Sequence, residues 1–312
     1  MIKNDGMNEI NDHTTLNASV NGTLYVVATP IGNMADITFR AIQTLKDVAL
    51  IAAEDTRHTK RLLTHYTIHN SMTSLHEHNE NQRAGELIKR LKKGDSIALV
   101  SDAGTPTLSD PGYRLIREAI GSGIHVVPIP GASAALSSLC VSGLPTDAYV
   151  FMGFLPRKEG KRQKILKSLA RESKTIIFYE SPRRVKRLID DLIKTLGNRQ
   201  SVLSREMTKL HEEFVRGTLS EILDVLADRR EIKGECTLVV HGGVEQETLG
   251  VDALRQELIQ GLHQDGIRLS DLVKNIVKHY GLPKKQVYAE ALKVKSLYAS
   301  VERDDVASEK KE

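Results

Sequence analysis

The stretch Ala98-Leu99-Val100-Ser101-Asp102-Ala103-Gly104-Thr105-Pro106-Thr107-Leu108-Ser109-Asp110-Pro111-Gly112-Tyr113 carries the strongest architectural signal in the chain. It opens with the end of a short apolar run, Ile97 to Val100, of the kind that forms a strand buried on both faces. A dozen residues drawn almost wholly from Ser, Asp, Gly, Thr and Pro follow, and they continue neither strand nor helix. A helix then begins: Asp110 is a good N-cap, Pro111 suits the first helical position, and Tyr113 to Ile120 has helical spacing. Strand, loop and helix in that order make one unit of a parallel α/β sheet, in which loops leaving the carboxyl ends of strands border the ligand crevice.

The same unit recurs on either side. A strand from Thr23 to Ala28 runs through Thr29-Pro30-Ile31-Gly32-Asn33 to a helix over about Thr38 to Leu45. A second, Val48 to Ala53, runs into Glu54-Asp55-Thr56-Arg57 and a helix to about Thr64, and a further helix spans Glu80 to Leu91. The strand Ile124 to Ile129 leads through Pro130-Gly131-Ala132-Ser133 into a small-residue helix ending near Leu139, where backbone can approach a ligand closely. The loops after Ala28, Ala53, Val100 and Ile129 therefore share one edge of a mainly parallel sheet. Neither GxGxxG nor GxxxxGK[ST] is present, which excludes the dinucleotide and phosphate-loop fingerprints.

Val141 to Thr146 reads as a linker, and the rhythm changes beyond it. Strands are expected at Tyr149–Phe154, Thr175–Tyr179, Ser201–Glu206, Glu212–Arg216 and Cys236–His241, with helices at Lys158–Leu169, Pro182–Leu196 and Leu219–Ala227. Two strands separated only by Met207 to Leu210 imply an antiparallel hairpin, hence a mixed second sheet. Three helices follow, Val251–Leu262, Leu269–His279 and Pro283–Lys293, the last two joined at Tyr280-Gly281-Leu282 like a helix-turn-helix. The expected organisation is a disordered lead at 1–20, α/β domains at 21–143 and 147–243, a helical extension at 250–298 and a charged tail at 299–312.

With 312 residues, 40% of them hydrophobic, the chain is long enough for about two cores. Two distant cysteines, Cys140 and Cys236, support neither a disulfide framework nor a cysteine zinc site and point to a reducing cytoplasm. No apolar run reaches the ~18 residues of a spanning helix, and the first twenty residues lack the apolar core of a signal peptide, so no membrane role is expected. The net charge of +4 is unevenly spread: twelve Lys or Arg against three Glu lie between Arg157 and Arg187. That excess suits a polyanion, although two solvated helix faces would read the same way.

The residues Val27-Ala28-Thr29-Pro30-Ile31-Gly32-Asn33, Ala53-Glu54-Asp55-Thr56-Arg57, Leu75-His76-Glu77-His78-Asn79-Glu80, Val100 to Pro106, Pro130 to Ala134, Tyr179-Glu180-Ser181-Pro182-Arg183-Arg184 and Arg205-Glu206-Met207-Thr208-Lys209 stand in the order of one known family. With Glu212-Glu213, they resemble the bacterial ribosomal RNA small subunit methyltransferase I family of the tetrapyrrole methylase superfamily. Met207 replaces a commoner Leu. The resemblance implies two α/β domains enclosing S-adenosylmethionine, a small C-terminal helical extension and a cytoplasmic homodimer. It also implies 2′-O-methylation of a cytidine in 16S rRNA at the decoding centre of the small ribosomal subunit.

Methyl transfer from a sulfonium requires a nucleophile aligned with carbon and sulfur, and a ribose hydroxyl gains from a positioned base. Glu54, Asp55, Glu77 and Glu206 are candidates for that base, with Asp55 reading equally as the N-cap of the helix starting at Thr56. For the cofactor, the resemblance points to Asp102, Ala103, Gly104, Thr105 and Pro106, to Ala132 and Ser133, and to Met152 with the Cys236–Val239 strand. Arg57, Arg183, Arg184, Arg205 and Lys209 are expected to meet RNA phosphates or hold carboxylates, and His76 and Asn79 to face substrate. His76-Glu77-His78 places two imidazoles on one strand face, which could ligate a metal, but no third ligand is evident, so no metal is expected. Two rivals stay open: a same-fold methyltransferase acting on a tetrapyrrole or protein side chain, and a non-enzymatic nucleic-acid-binding protein.

Overall fold

Strands β2 (Leu50–Ala53) and β4 (Ile97–Val100) are buried at every residue, as their unbroken apolar runs require. The computed structural model describes residues 21–243, 250–262, 267–280 and 282–308; the expected lead at 1–20, the turn residue Gly281 and the last four residues lie outside them. Around β2 and β4 stand β1 (Thr23–Val27), β3 (Met72–Ser74) and β5 (His125–Ile129), in the order β3-β2-β4-β1-β5 with every pairing parallel. The crossovers carry helices α1 (Phe39–Asp47), α2 (Thr56–His65), α3 (Glu80–Lys92) and α4 (Tyr113–Gly121). Alternate strand residues face opposite ways and build two cores. Leu24, Ala52, Ile97 and Leu99 pack with Leu87, Leu91 and Leu115 on one face; Val27, Ile51, Ala98 and Val100 pack with Leu45 and Leu62 on the other.

The second sheet contains β6 (Tyr149–Phe154), β7 (Thr175–Glu180), β8 (Gln200–Arg205), β9 (Glu213–Thr218) and β10 (Cys236–Val240) in the order β6-β7-β10-β8-β9. β6 pairs parallel to β7 and the other pairings are antiparallel, so the sheet is mixed, as the short β8–β9 connection implies. One face packs on α6 (Glu159–Ser168), α7 (Val185–Leu196) and α8 (Leu219–Ala227). Its other face receives α5 (Ala134–Cys140): Ala135 and Leu139 pack on Ile177 and Val239, and the buried hydroxyls of Ser138 and Ser204 lie 2.6 Å apart. The helix that follows β5 of the first sheet in the chain thus packs on the second sheet.

Three expectations are corrected. Asp110 and Pro111 do not start α4, because Gly112 holds φ +118° at the N-cap position; a Cβ there would also meet Leu99 at 2.6 Å. The cap comes from α3 instead, with Glu80 Oε1 accepting from Gly112 N at 3.1 Å and Arg114 N at 3.0 Å. His76 and His78 do not lie on a strand: β3 ends at Ser74, and the segment to Asn79 is a turn closed by His76 N donating to Asn79 Oδ1 at 2.9 Å. Finally, Arg162 of the basic run is buried, with its Nε 2.7 Å from Asp191 Oδ2 across α6 and α7.

After Gly242 a separate compact unit begins. It holds α9 (Val251–Leu262), α10 (Leu269–Tyr280) and α11 (Lys284–Ser308), around Leu254, Leu258, Val273, Ile276, Val287 and Ala291. α11 outruns the expected end at Lys293, since no glycine or proline interrupts the run to Ser308. Among the described residues no helix is long and apolar enough to cross a membrane.

Candidate functional site

Because every strand of the first sheet is parallel, the loops after β1, β2 and β4 and the residues entering α5 emerge along one edge. They are stitched together. Thr29 and Gly104 exchange backbone hydrogen bonds of 2.9 and 3.0 Å, and Thr105 Oγ1 donates to the Ala132 carbonyl at 3.2 Å. Gly104 turns back with φ +81°, a conformation open to glycine. Asp55 N donates to Asp102 Oδ1 at 3.1 Å and Asp102 N donates to Glu54 Oε2 at 3.2 Å, so the β2 and β4 loops hold each other by reciprocal bonds.

Facing this edge, the second sheet contributes Phe154, Tyr179, Glu180, Cys236 and Thr237, and a cavity of about 330 Å³ lies between. Tyr179 spans the two halves, its hydroxyl accepting from Ala135 N at 3.0 Å. Of the residues expected at the cofactor, Asp102, Ala103, Gly104, Thr105 and Ser133 line this cavity. Pro106 is buried and does not line the cavity, Ala132 accepts from Thr105, and Met152 packs on the core of the second sheet. Ser133 Oγ is buried with no hydrogen-bond partner among the described residues.

The cavity is acidic. Burial raises the Glu54 carboxyl above its ordinary value, and the charges of Asp102 and Asp55 push the same way. Asp110, displaced from its expected capping role, enters the cavity wall, where burial and then the Glu54 charge drive it up to about 7. Glu180 is buried and held by Arg184 at 2.5 Å. Cys236 is pushed up to about 12 by burial, which leaves it a thiol and no nucleophile.

The other expected bases are engaged elsewhere. Asp55 caps α2 through Arg57 N at 2.8 Å and also binds the Arg57 side chain, whose guanidinium holds its carboxyl well below the usual range. Glu206 pairs with Lys209 at 2.8 Å, which lowers it. Glu77 is exposed on the turn after β3. Arg205 and Arg229 share Glu213, pressing it down to about 2. Lys209 reaches a second depression of about 220 Å³, lined also by Thr29 to Gly32, His58 and Thr59, which shares Ile31, Asp102, Ala103 and Glu235 with the first cavity. No group of three or more His, Cys, Asp or Glu able to hold a metal occurs among the described residues.

The model of the Tetrapyrrole (Corrin/Porphyrin) Methylases matches residues 23–223, both sheets up to α8. The chain belongs to this methylase family. It is 48% identical over 271 residues to the Ribosomal RNA small subunit methyltransferase I of Halalkalibacterium halodurans, covering 86% of this chain and 93% of that protein. With the protein of the same name from Streptococcus pyogenes it shares 45% identity over 271 residues, or 86% and 94% of the two chains. Among solved structures, the methylase fold is shared with uroporphyrin-III C-methyltransferase of Thermus thermophilus complexed with S-adenosyl homocysteine. That match has a TM-score of 0.50 at 17% identity, over 70% of this chain and 97% of that one. In this methylase, sequence reasoning missed Asp110, Tyr179 and Glu180 as cavity residues: the first because Asp-Pro mimics a helix start, the others because their strand reads as plain core.

Proposed function

We propose that this methylase transfers the methyl group of S-adenosylmethionine to the ribose 2′-oxygen of a cytidine in 16S rRNA, at the decoding centre of the small ribosomal subunit. The observation that carries the reading is the acidic cavity walled by the Asp102 to Thr105 loop, together with relatives 45 and 48% identical that are named for small-subunit rRNA methylation. The cavity suits that cofactor: Ser133 Oγ offers an unused buried hydroxyl, and Glu54, Asp102 and Asp110 favour a cation.

When bound, the cofactor supplies a methyl group on a sulfonium, ready for direct displacement. The chain's part is to align the ribose hydroxyl and to take its proton. Glu54 fits the base role, because burial and neighbouring charges raise its proton affinity and its carboxylate is held by Asp102 N. Asp55 is too weak a base beside Arg57. Asp102 is assigned to a cofactor hydroxyl or amine, and Lys209, at the second depression, to the substrate side. The protein is read as a cytoplasmic homodimer, following the family resemblance.

The test is transfer of labelled methyl from S-adenosylmethionine to small subunits isolated from cells lacking this gene, with mapping by ribose-methylation-sensitive cleavage. A single 2′-O-methylcytidine at the decoding centre is expected. Cofactor binding with no label in RNA would sink the reading and leave a tetrapyrrole or protein acceptor.

A further inference from the structure

Beside the acidic cavity lies a shallower depression of opposite character, and the two share Pro182 and Gly234. It is lined by Arg183, Lys186, Arg229, Arg230 and Lys233, with Glu231 as its one acidic residue. Arg229 is spoken for, since both its terminal nitrogens bind the Glu213 carboxylate and fix the guanidinium in the wall. Lys233 stands 3.4 Å from Glu231, but both are exposed, so the pair is weak and screened. Arg183, Lys186 and Arg230 make no ion pair among the described residues. Five cations against the carboxylates of Glu213 and Glu231 leave a local excess of three positive charges. Helix α7 begins at Val185 without a side-chain cap, so its dipole adds to the positive field at the same place.

The sequence pairs Arg183 with Arg184 as phosphate binders, and the structure separates them. Arg184 is committed to buried Glu180, whereas Arg183 is exposed on the depression. Two of the three unpaired cations, Lys186 and Arg230, lie 44 positions apart and meet only through the fold.

We infer that this depression is a phosphodiester subsite, seating the RNA backbone next to the nucleotide that is methylated. The inference rests on the proposed RNA methyl transfer. Its logic is electrostatic: the carboxylates of the neighbouring cavity repel phosphate, so a strand that presents a neutral ribose hydroxyl there must place an adjacent phosphate outside it. A concave cluster of unpaired Arg and Lys sharing the cavity's rim holds that phosphate and sets the register of the strand.

The experiment measures binding of unmethylated small subunits to the full chain across a salt series, with S-adenosylmethionine affinity followed by calorimetry. Arg183→Gln/Lys186→Gln/Arg230→Gln is expected to flatten the plot of log K against log salt by about 0.7 or more, the loss of at least one phosphate contact. It is expected to raise KM for subunits while leaving cofactor affinity unchanged, and Arg230→Lys is expected to keep the wild-type slope. Should the triple variant lose cofactor binding, the single variants Lys186→Gln and Arg230→Gln decide by the same slope. A triple variant with wild-type slope and KM overturns the subsite while methyl transfer by the wild type stands. A wild-type protein that binds cofactor but neither binds nor methylates subunits overturns the RNA reading, and the subsite with it.

Discussion

Replacing Asp110 by Asn tests how the cavity's acidity is distributed. The native carboxyl titrates near 7, against an ordinary value of 3.8, because burial and the Glu54 charge disfavour its ionised form. Between those two values the folded protein holds a proton that the unfolded chain has released. Stability therefore falls as pH rises from about 4 to about 7, and above that the full penalty of a half-buried carboxylate remains. A rise from 3.8 to about 7 corresponds to ~4 kcal/mol at ~1.4 kcal/mol per tenfold, and solvent screening of a side chain that is partly exposed roughly halves it to ~2 kcal/mol. Asn reproduces the neutral acid. Asp110→Asn is therefore expected to match the wild type near pH 4 and to be about 2 kcal/mol more stable at pH 8, read by urea unfolding of the ligand-free protein across that range. A variant stabilised equally at both pH values, or destabilised at pH 8, would refute the assignment of the raised carboxyl to Asp110.

Arg162→Met strands Asp191 inside the α6–α7 packing and is expected to cost about 3–5 kcal/mol in urea unfolding, most of it recovered in Arg162→Met/Asp191→Leu; a loss under about 1 kcal/mol would show that the pair is dispensable. Glu80→Ala removes the carboxylate that accepts from Gly112 and Arg114. It is expected to lower stability by about 1 kcal/mol and to weaken S-adenosylmethionine binding through the loop that α4 anchors; unchanged cofactor affinity in calorimetry would separate the cap from the cavity.

The first sheet is legible in the sequence because β2 and β4 are continuous apolar runs and each gives way at once to a polar loop. β3 is not, since Met72-Thr73-Ser74 is three residues long and partly exposed, with neither apolar continuity nor alternation to mark it. The mixed second sheet follows from the short connection between β8 and β9, but the place of β10 between β7 and β8 is a long-range choice that no local pattern encodes. At the site, Asp102 to Thr105 and Ser133 are readable because loop composition and strand order place them on one edge. Side-chain partnerships are not readable. Asp55 and Glu54 are neighbours in sequence, yet one is neutralised by Arg57 two residues on, while the other meets Asp102 from a distant strand. Capping by Glu80 across 32 positions frees Asp110 for the cavity, and nothing in the local Asp-Pro-Gly motif announces it.

Asp102 and Ala103 face both the acidic cavity and the depression that holds His58 and Lys209. Two adjoining chambers are thus divided by Ile31, Asp102, Ala103 and Glu235, and Asp102 is tied by hydrogen bonds to the loop after β2. A ligand that shifts this partition from one side alters the shape offered on the other. Whatever factor the first occupant adds to the affinity of the second is returned in equal measure when the order of arrival is reversed. A stretch of chain that reads as a binding loop for one molecule would, if both chambers fill, also be the place where two occupants meet.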